Sequence, residues 1–137
     1  MKLVLDTNVL ISGLKTPGGT CAQILFLVID GKITLCVDHR IMDEYERVTR
    51  DPDLRLDSRA VREILDLIRQ TADAVTAGPL PVKLPDPGDL CFLEVASVSG
   101  AWLVTGNVRH FPEKERGDVV VLSPRHFLDA LARRAGN

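Results

Sequence analysis

The sequence predicts an α/β protein, a three-layer α/β/α sandwich built on a short, mostly parallel central sheet. Three observations carry that expectation. Short apolar runs without polar alternation recur at residues 3–5, 33–37, 101–104 and 119–122, as suits strands covered on both faces. Segments of helical period separate them, so strand and helix alternate. Small polar residues follow two of the runs at once, in Asp6-Thr7-Asn8 and Thr105-Gly106-Asn107. Ligand crevices in open α/β sheets lie beyond the carboxyl ends of the strands.

A chain of 137 residues, 45% hydrophobic and 26% charged, is expected to form a single domain over residues 1–137. A domain of that size buries roughly 70% of its unfolded surface. The net charge of −2 supplies no bulk attraction for nucleic acid, so such a partner needs a local basic patch. No basic-then-apolar leader opens the sequence and no apolar run nears the ~18 residues of a membrane span. The expectation is a cytoplasmic protein without membrane contact. Cys21, Cys36 and Cys91 are odd in number and in no ligand spacing. They read as reduced thiols of the core, not as disulfides or a zinc site.

Taken in order, the first strand runs straight into Asp6, which is either a helix cap or a carboxylate delivered to the crevice. Residues 9–14 form a short helical turn, ended by the loop signal Lys15-Thr16-Pro17-Gly18-Gly19. Thr20 is the expected cap of a helix through Ile29 that is apolar nearly all round. Such a helix is deeply buried or lies in a subunit interface. After a strand at 33–37, the helix at 39–50 carries Ile41, Tyr45 and Val48 as its inward stripe. At ~100° per residue, Glu44 falls on the border of that stripe. A carboxylate there needs a partner, because desolvating it alone costs several kcal/mol. Arg40, Arg47 or a cation shared with Asp6 can serve.

Ser58 is expected to cap a helix whose Val61, Ile64, Leu65 and Ile68 share one face, with Arg59, Arg62 and Arg69 on the solvated side. The proline- and acid-rich stretch 79–89 reads as an ordered loop. Asp89 opens the next helix on its inward face, and Gly100 stops that helix. Asp86, ahead of a proline, lies outside it. The strand at 101–104 is followed by a turn carrying Arg109 and His110, the latter read as a packed surface residue. The strand at 119–122 leads to a last helix capped by Ser123-Pro124.

Asp6, Glu44 and Asp89 thus reach strand ends or inward helix faces by three independent local arguments. Two carboxylates ~4 Å apart repel by about 4 kcal/mol at an effective dielectric of 20, so three together require protons or a cation. Oxygen ligands without histidine or thiolate favour Mg²⁺ or Mn²⁺. The chemistry most in need of such an ion is phosphodiester hydrolysis, in which it acidifies a water and neutralises a phosphate oxygen.

The blocks Leu3-Val4-Leu5-Asp6-Thr7-Asn8-Val9-Leu10, Glu44-Tyr45, Asp86-Pro87-Gly88-Asp89, Leu103-Val104-Thr105-Gly106-Asn107 and Ser123-Pro124-Arg125-His126-Phe127-Leu128 resemble, in order and spacing, the signature blocks of PIN domains. Within that family the sequence is most similar to the toxin components of bacterial toxin–antitoxin pairs. The resemblance implies a Mg²⁺- or Mn²⁺-dependent endoribonuclease that cuts RNA, forms a homodimer and is neutralised by a cognate antitoxin. It implies Asp6, Glu44 and Asp89 as catalytic metal ligands, with Asn8, Thr105, Asn107 and Asp86 in support. The sequence departs from the family pattern at the fourth acid, where Asn107 or His110 stands in place of an aspartate. A second metal then lacks a clear ligand. The alternative is a degenerate PIN scaffold that binds RNA or a protein partner without cleavage.

Overall fold

Leu3, Val4 and Leu5 are fully buried, and the strand that holds them, β1 (Lys2–Leu5), is accordingly the middle of the sheet. The computed structural model describes residues 1–136. In it, β1 pairs in parallel with β2 (Thr34–Val37) on one side and with β4 (Trp102–Val104) on the other. Outside these lie β3 (Asp73–Ala74) and β5 (Val121–Leu122), giving the order β3-β2-β1-β4-β5 with every pairing parallel. The chain steps from β1 outward to β3, then crosses back over β1 to β4 and β5. The direction of connection therefore reverses between β1 and β4, the kind of point at which parallel α/β sheets open a crevice.

The helices are α1 (Thr7–Lys15), α2 (Thr20–Ile29), α3 (His39–Thr49), α4 (Ser58–Thr71), α5 (Leu90–Ser99) and α6 (Pro124–Ala135). Helix α5 is the crossover from β3 to β4 and packs on β1, β2 and β4. Its C-terminus is set by Gly100, whose φ of +67° is a left-handed conformation open to glycine at little cost. Right-handed crossovers place the helices of the outward and returning connections on opposite faces of the sheet, which yields the expected three layers.

The expected elements need three corrections. The segment 119–122 is a strand only at Val121–Leu122, although the Val120 carbonyl still accepts from the Leu103 N–H at 2.9 Å. The short β3, too brief for periodicity to reveal, adds a fifth strand by pairing Asp73 with Cys36. The first helix starts at Thr7 and runs for nine residues, more than the short turn anticipated. Two caps also move. Asp57 rather than Ser58 caps α4, accepting from the N–H groups of Arg59 and Ala60, and Gly19 precedes α2. Asp and Ser are equally good caps, so composition does not choose between adjacent ones.

Helix α2 is neither wholly buried nor wholly exposed. Ala22, Ile24, Leu25 and Val28 enter the core, whereas Phe26 and Ile29 stand 59% and 52% exposed. The three cysteines are free, Cys36 buried and the other two partly so, consistent with core thiols.

Helices α1 and α2 approach closely because Gly13 has no side chain. A Cβ there would lie 2.6 Å from Leu25 Cδ1 and 3.2 Å from the Cys21 carbonyl. Gly13→Ala is expected to lower the urea unfolding free energy by about 1–3 kcal/mol. Gly18→Ala, where a Cβ meets nothing within 4 Å, is expected to stay within about 0.5 kcal/mol of the parent.

Candidate active site

The site begins where β1 ends. The Asp6 N–H donates to the Val104 carbonyl at 3.0 Å, which ties the last residue of β4 to the first residue after β1. The Asp6 side chain is 5% exposed. Its Oδ2 accepts from the Thr105 hydroxyl at 2.8 Å and from Asn8 Nδ2 at 3.3 Å. Thr105, fully buried, accepts in turn from the Asn107 N–H at 3.0 Å. Asn8 Oδ1 accepts from the Gly106 N–H at 2.9 Å. The two polar strand ends seen in the sequence are thus stitched together around one carboxylate. Asn107 contributes through its backbone, and its side chain makes no hydrogen bond among the described residues.

Helix α3 brings Glu44 to the same edge. The buried Tyr45 hydroxyl donates to the Leu5 carbonyl, fixing this turn of the helix against the end of β1. The neighbouring Glu44 carboxylate accepts from the buried Thr7 hydroxyl. Of the two arginines anticipated as its partner, only Arg47 approaches, at 3.8 Å. Arg40 is bound elsewhere, to Asp38 and Glu94.

Asp89 closes the turn Pro87–Asp89 and precedes α5. Its Oδ2 lies 3.1 Å from His110 Nδ1, so His110 faces the site instead of packing on the surface as expected. Asp86 is exposed and accepts from the Gly88 N–H at 2.9 Å, an ordinary cap of that turn.

Position before a helix does not by itself explain Asp6 and Asp89. Asp38, Asp51, Asp57 and Asp86 also precede helices or turns, and each accepts a backbone N–H in the way a cap does. Asp6 and Asp89 occupy the same kind of position and make no such bond. Their carboxylates point to other partners.

Their protonation reflects this. Burial pushes the Asp6 carboxyl above its usual range; the Thr105 hydrogen bond opposes the rise and the Glu44 charge adds to it. Burial likewise lifts Asp89, with the charges of Asp6 and Asp86 adding and His110 opposing, to about 6. Asp6 therefore feels the charge of Glu44, and Asp89 that of Asp6. A cleft of about 560 Å³ opens beside Glu44, lined among others by Arg47, Pro79, Leu90, Cys91 and Glu94.

As a test of fit to a divalent ion, the donors are all hard carboxylate oxygens with mutual repulsion to relieve, which suits Mg²⁺ or Mn²⁺. The tight cluster anticipated from the sequence is not closed, however. Among the described residues no three His, Cys, Asp or Glu side chains gather into a group that could hold a metal ion. Glu44 is engaged by Thr7 and Asp89 by His110. The fit is one of donor chemistry and placement.

Sequence reasoning named His110 without its contact to Asp89, and missed Thr7 and the buried Asp38 and Glu94. Glu94 had a usable signal, since it is the one charge inside the apolar stretch Leu90-Cys91-Phe92-Leu93-Glu94-Val95-Ala96, and a buried charge must be paired. Thr7 had none, because its partner is distant in sequence.

A family model described as PIN domain matches residues 2–109. No curated protein matches the sequence. Among solved structures, VapBC2 from Rickettsia felis bound to a DNA fragment from their promoter is similar at a TM-score of 0.58 and 15% identity, covering 90% of this chain and 98% of that one. A domain of a functionally unknown protein from Methanocaldococcus jannaschii is similar at 0.52 and 16%, covering 88% of each. At these identities the likeness is one of fold.

The raised carboxyls fix the sign of a pH effect in metal-free buffer. A folded-state pKa of about 6 for Asp89 against the ordinary value of 3.8 means that the folded protein holds this proton more tightly than the unfolded chain. That contribution is complete below about pH 4 and is lost as pH rises through 6. Asp89→Asn is expected to raise the melting temperature by a few degrees at pH 7.5 in EDTA and to leave it nearly unchanged at pH 4. Thermal melts at both pH values check this.

Proposed function

The chain belongs to the PIN-domain family, and from that premise we propose that it is a metal-dependent endoribonuclease, the toxin of a toxin–antitoxin pair. PIN domains are generally nucleases, and the observation that carries the finer reading is the contrast among aspartates. Four cap helices or turns, while Asp6 and Asp89, held at one sheet edge with Glu44, do not. In this reading Asp6, Glu44 and Asp89 hold Mg²⁺ or Mn²⁺. Such an ion supplies a water of lowered pKa and charge neutralisation at a phosphate.

The chain's own residues do the rest. Thr105 and Asn8 fix the rotamer of Asp6, so that Oδ1 is left for a ligand. Arg47, exposed beside Glu44, and Arg109, which makes no ion pair among the described residues, are the cations available to an RNA phosphate. Arg40 lines the same cleft, with its charge already shared by two carboxylates. His110 beside Asp89 is placed to accept or return a proton at Nδ1 once Asp89 turns to a ligand. An RNA substrate fits the cleft beside Glu44. A cognate antitoxin as partner rests on the likeness to a VapBC complex. Homodimerisation rests on Phe26 and Ile29, two large apolar side chains exposed side by side on α2.

A second reading, an RNA- or protein-binding PIN scaffold that does not cut, is favoured by the unengaged Asn107 side chain and by the absence of a closed acid cluster among the described residues. Cleavage separates the two. With Mg²⁺ or Mn²⁺ the parent is expected to cut single-stranded or loop RNA, and Asp6→Asn and Asp89→Asn to fall to the level of a protein-free blank while circular dichroism stays native. Equal cleavage by parent and variants, or none by the parent beside retained RNA binding, refutes the nuclease.

The dimer has its own test. Sedimentation is expected to show concentration-dependent association that Phe26→Glu removes. A monomer at every concentration overturns it.

A further inference from the structure

Along the cleft beside Glu44 runs an ion bridge whose two carboxylates are buried and whose arginine is partly exposed. Asp38 and Glu94 are 7% and 3% exposed, and one guanidinium joins them. Arg40 Nε and Nη2 meet Asp38 Oδ2 at 2.8 and 2.7 Å, and Arg40 Nη1 meets Glu94 Oε1 at 2.7 Å. The other oxygens are also engaged. Asp38 Oδ1 caps α3 at the Ile41 N–H, and Glu94 Oε2 accepts from the Leu80 N–H. The bridge therefore ties three segments together: the start of α3, the second turn of α5 and the loop that leads to Asp89. The Arg40–Glu94 contact is the one side-chain hydrogen bond between α3 and α5 among the described residues. Glu44 lies one helical turn beyond Arg40 on α3, and Asp89 immediately precedes α5.

We propose that Asp38, Arg40 and Glu94 are positioning residues, whose bridge sets the spacing of Glu44 on α3 from Asp89 at the head of α5. This rests on the reading of Glu44 and Asp89 as metal ligands. A planar guanidinium that donates from Nε to Asp38 and from Nη1 to Glu94 fixes the two acceptors relative to each other in a way a single ammonium does not. Supporting groups behind metal ligands typically change metal affinity or activity 10–100-fold.

The test compares Arg40→Lys and Glu94→Gln with Arg69→Lys. Arg69 joins α3 to α4 through Glu46 at 2.6 Å, a more exposed arginine–carboxylate tie away from the site. Mn²⁺ affinity is measured by calorimetry without substrate, alongside the metal-free melting temperature, kcat and KM for RNA. Arg40→Lys and Glu94→Gln are expected to weaken Mn²⁺ binding about tenfold or more and to lower kcat with KM little changed. Arg69→Lys is expected to shift the melting temperature alone. Should Arg40→Lys fail to fold, Glu94→Gln, isosteric and still offering Arg40 an oxygen, decides the matter. Lowered melting temperatures with Mn²⁺ affinity and kcat equal to those of Arg69→Lys overturn the positioning role and leave the nuclease standing. A parent that neither binds Mn²⁺ nor cleaves overturns both.

Discussion

The organisation of this protein depends on keeping one carboxylate out of water at the centre of a parallel sheet. Asp6 ends β1 at the point where the connections reverse, and β4 closes against it through the Asp6 N–H and the Val104 carbonyl. Its side chain receives two neutral donors, the Thr105 hydroxyl and the Asn8 amide. Neutral donors orient a carboxylate without cancelling its charge, so burial still raises the carboxyl's pKa. The buried Thr105 and the N–H groups of Gly106 and Asn107 are arranged to hold it.

The same principle explains how two further acids reach that edge. Tyr45, entirely buried, attaches α3 to the Leu5 carbonyl, and Glu44 is carried with it to the Thr7 hydroxyl. The crossover helix α5 must pass over β1 to reach β4, so its first residues arrive beside Asp6. Asp89 stands there with its charge opposed by a histidine and reinforced by two acids. Each contact is a compromise among partly desolvated charges, and an edge with two acids of raised pKa, Asp6 and Asp89, is the result.

Elsewhere in the chain charge is handled differently. Arg69 is shared between Glu46 and Asp66, and Arg59 pairs with Glu63 one turn away; such exposed pairs contribute little to stability. The Asp38–Arg40–Glu94 bridge is of another kind. Both of its carboxylates are buried, each accepts a backbone N–H besides the partly exposed arginine, and removing that arginine would leave each without its counter-charge. Apolar surface, conversely, is left uncovered only in places, and α2 presents it in Phe26 and Ile29.

The sequence by itself determined what depends on neighbours along the chain. Unbroken apolar runs marked β1, β2 and β4, because a strand buried on both faces has no polar side to alternate with. Helical period put Glu44 at the edge of an inward face, Gly100 marked the end of α5, and the resemblance to PIN domains agreed with the family model over residues 2–109. It did not reveal β3, whose two residues exist as a strand only because Val37 and Cys36 are there to pair with. Nor did it show that Asp6 and Asp89 decline the capping bonds that Asp57 and Asp86 make. Tertiary structure alone decided that His110 meets Asp89, that Thr7 holds Glu44, and that Arg40 turns away from Glu44 to a buried Glu94. Those choices pair side chains between 21 and 54 positions apart, and over such separations partners are selected by how the sheet orders its strands and which donor lies nearest a desolvated charge.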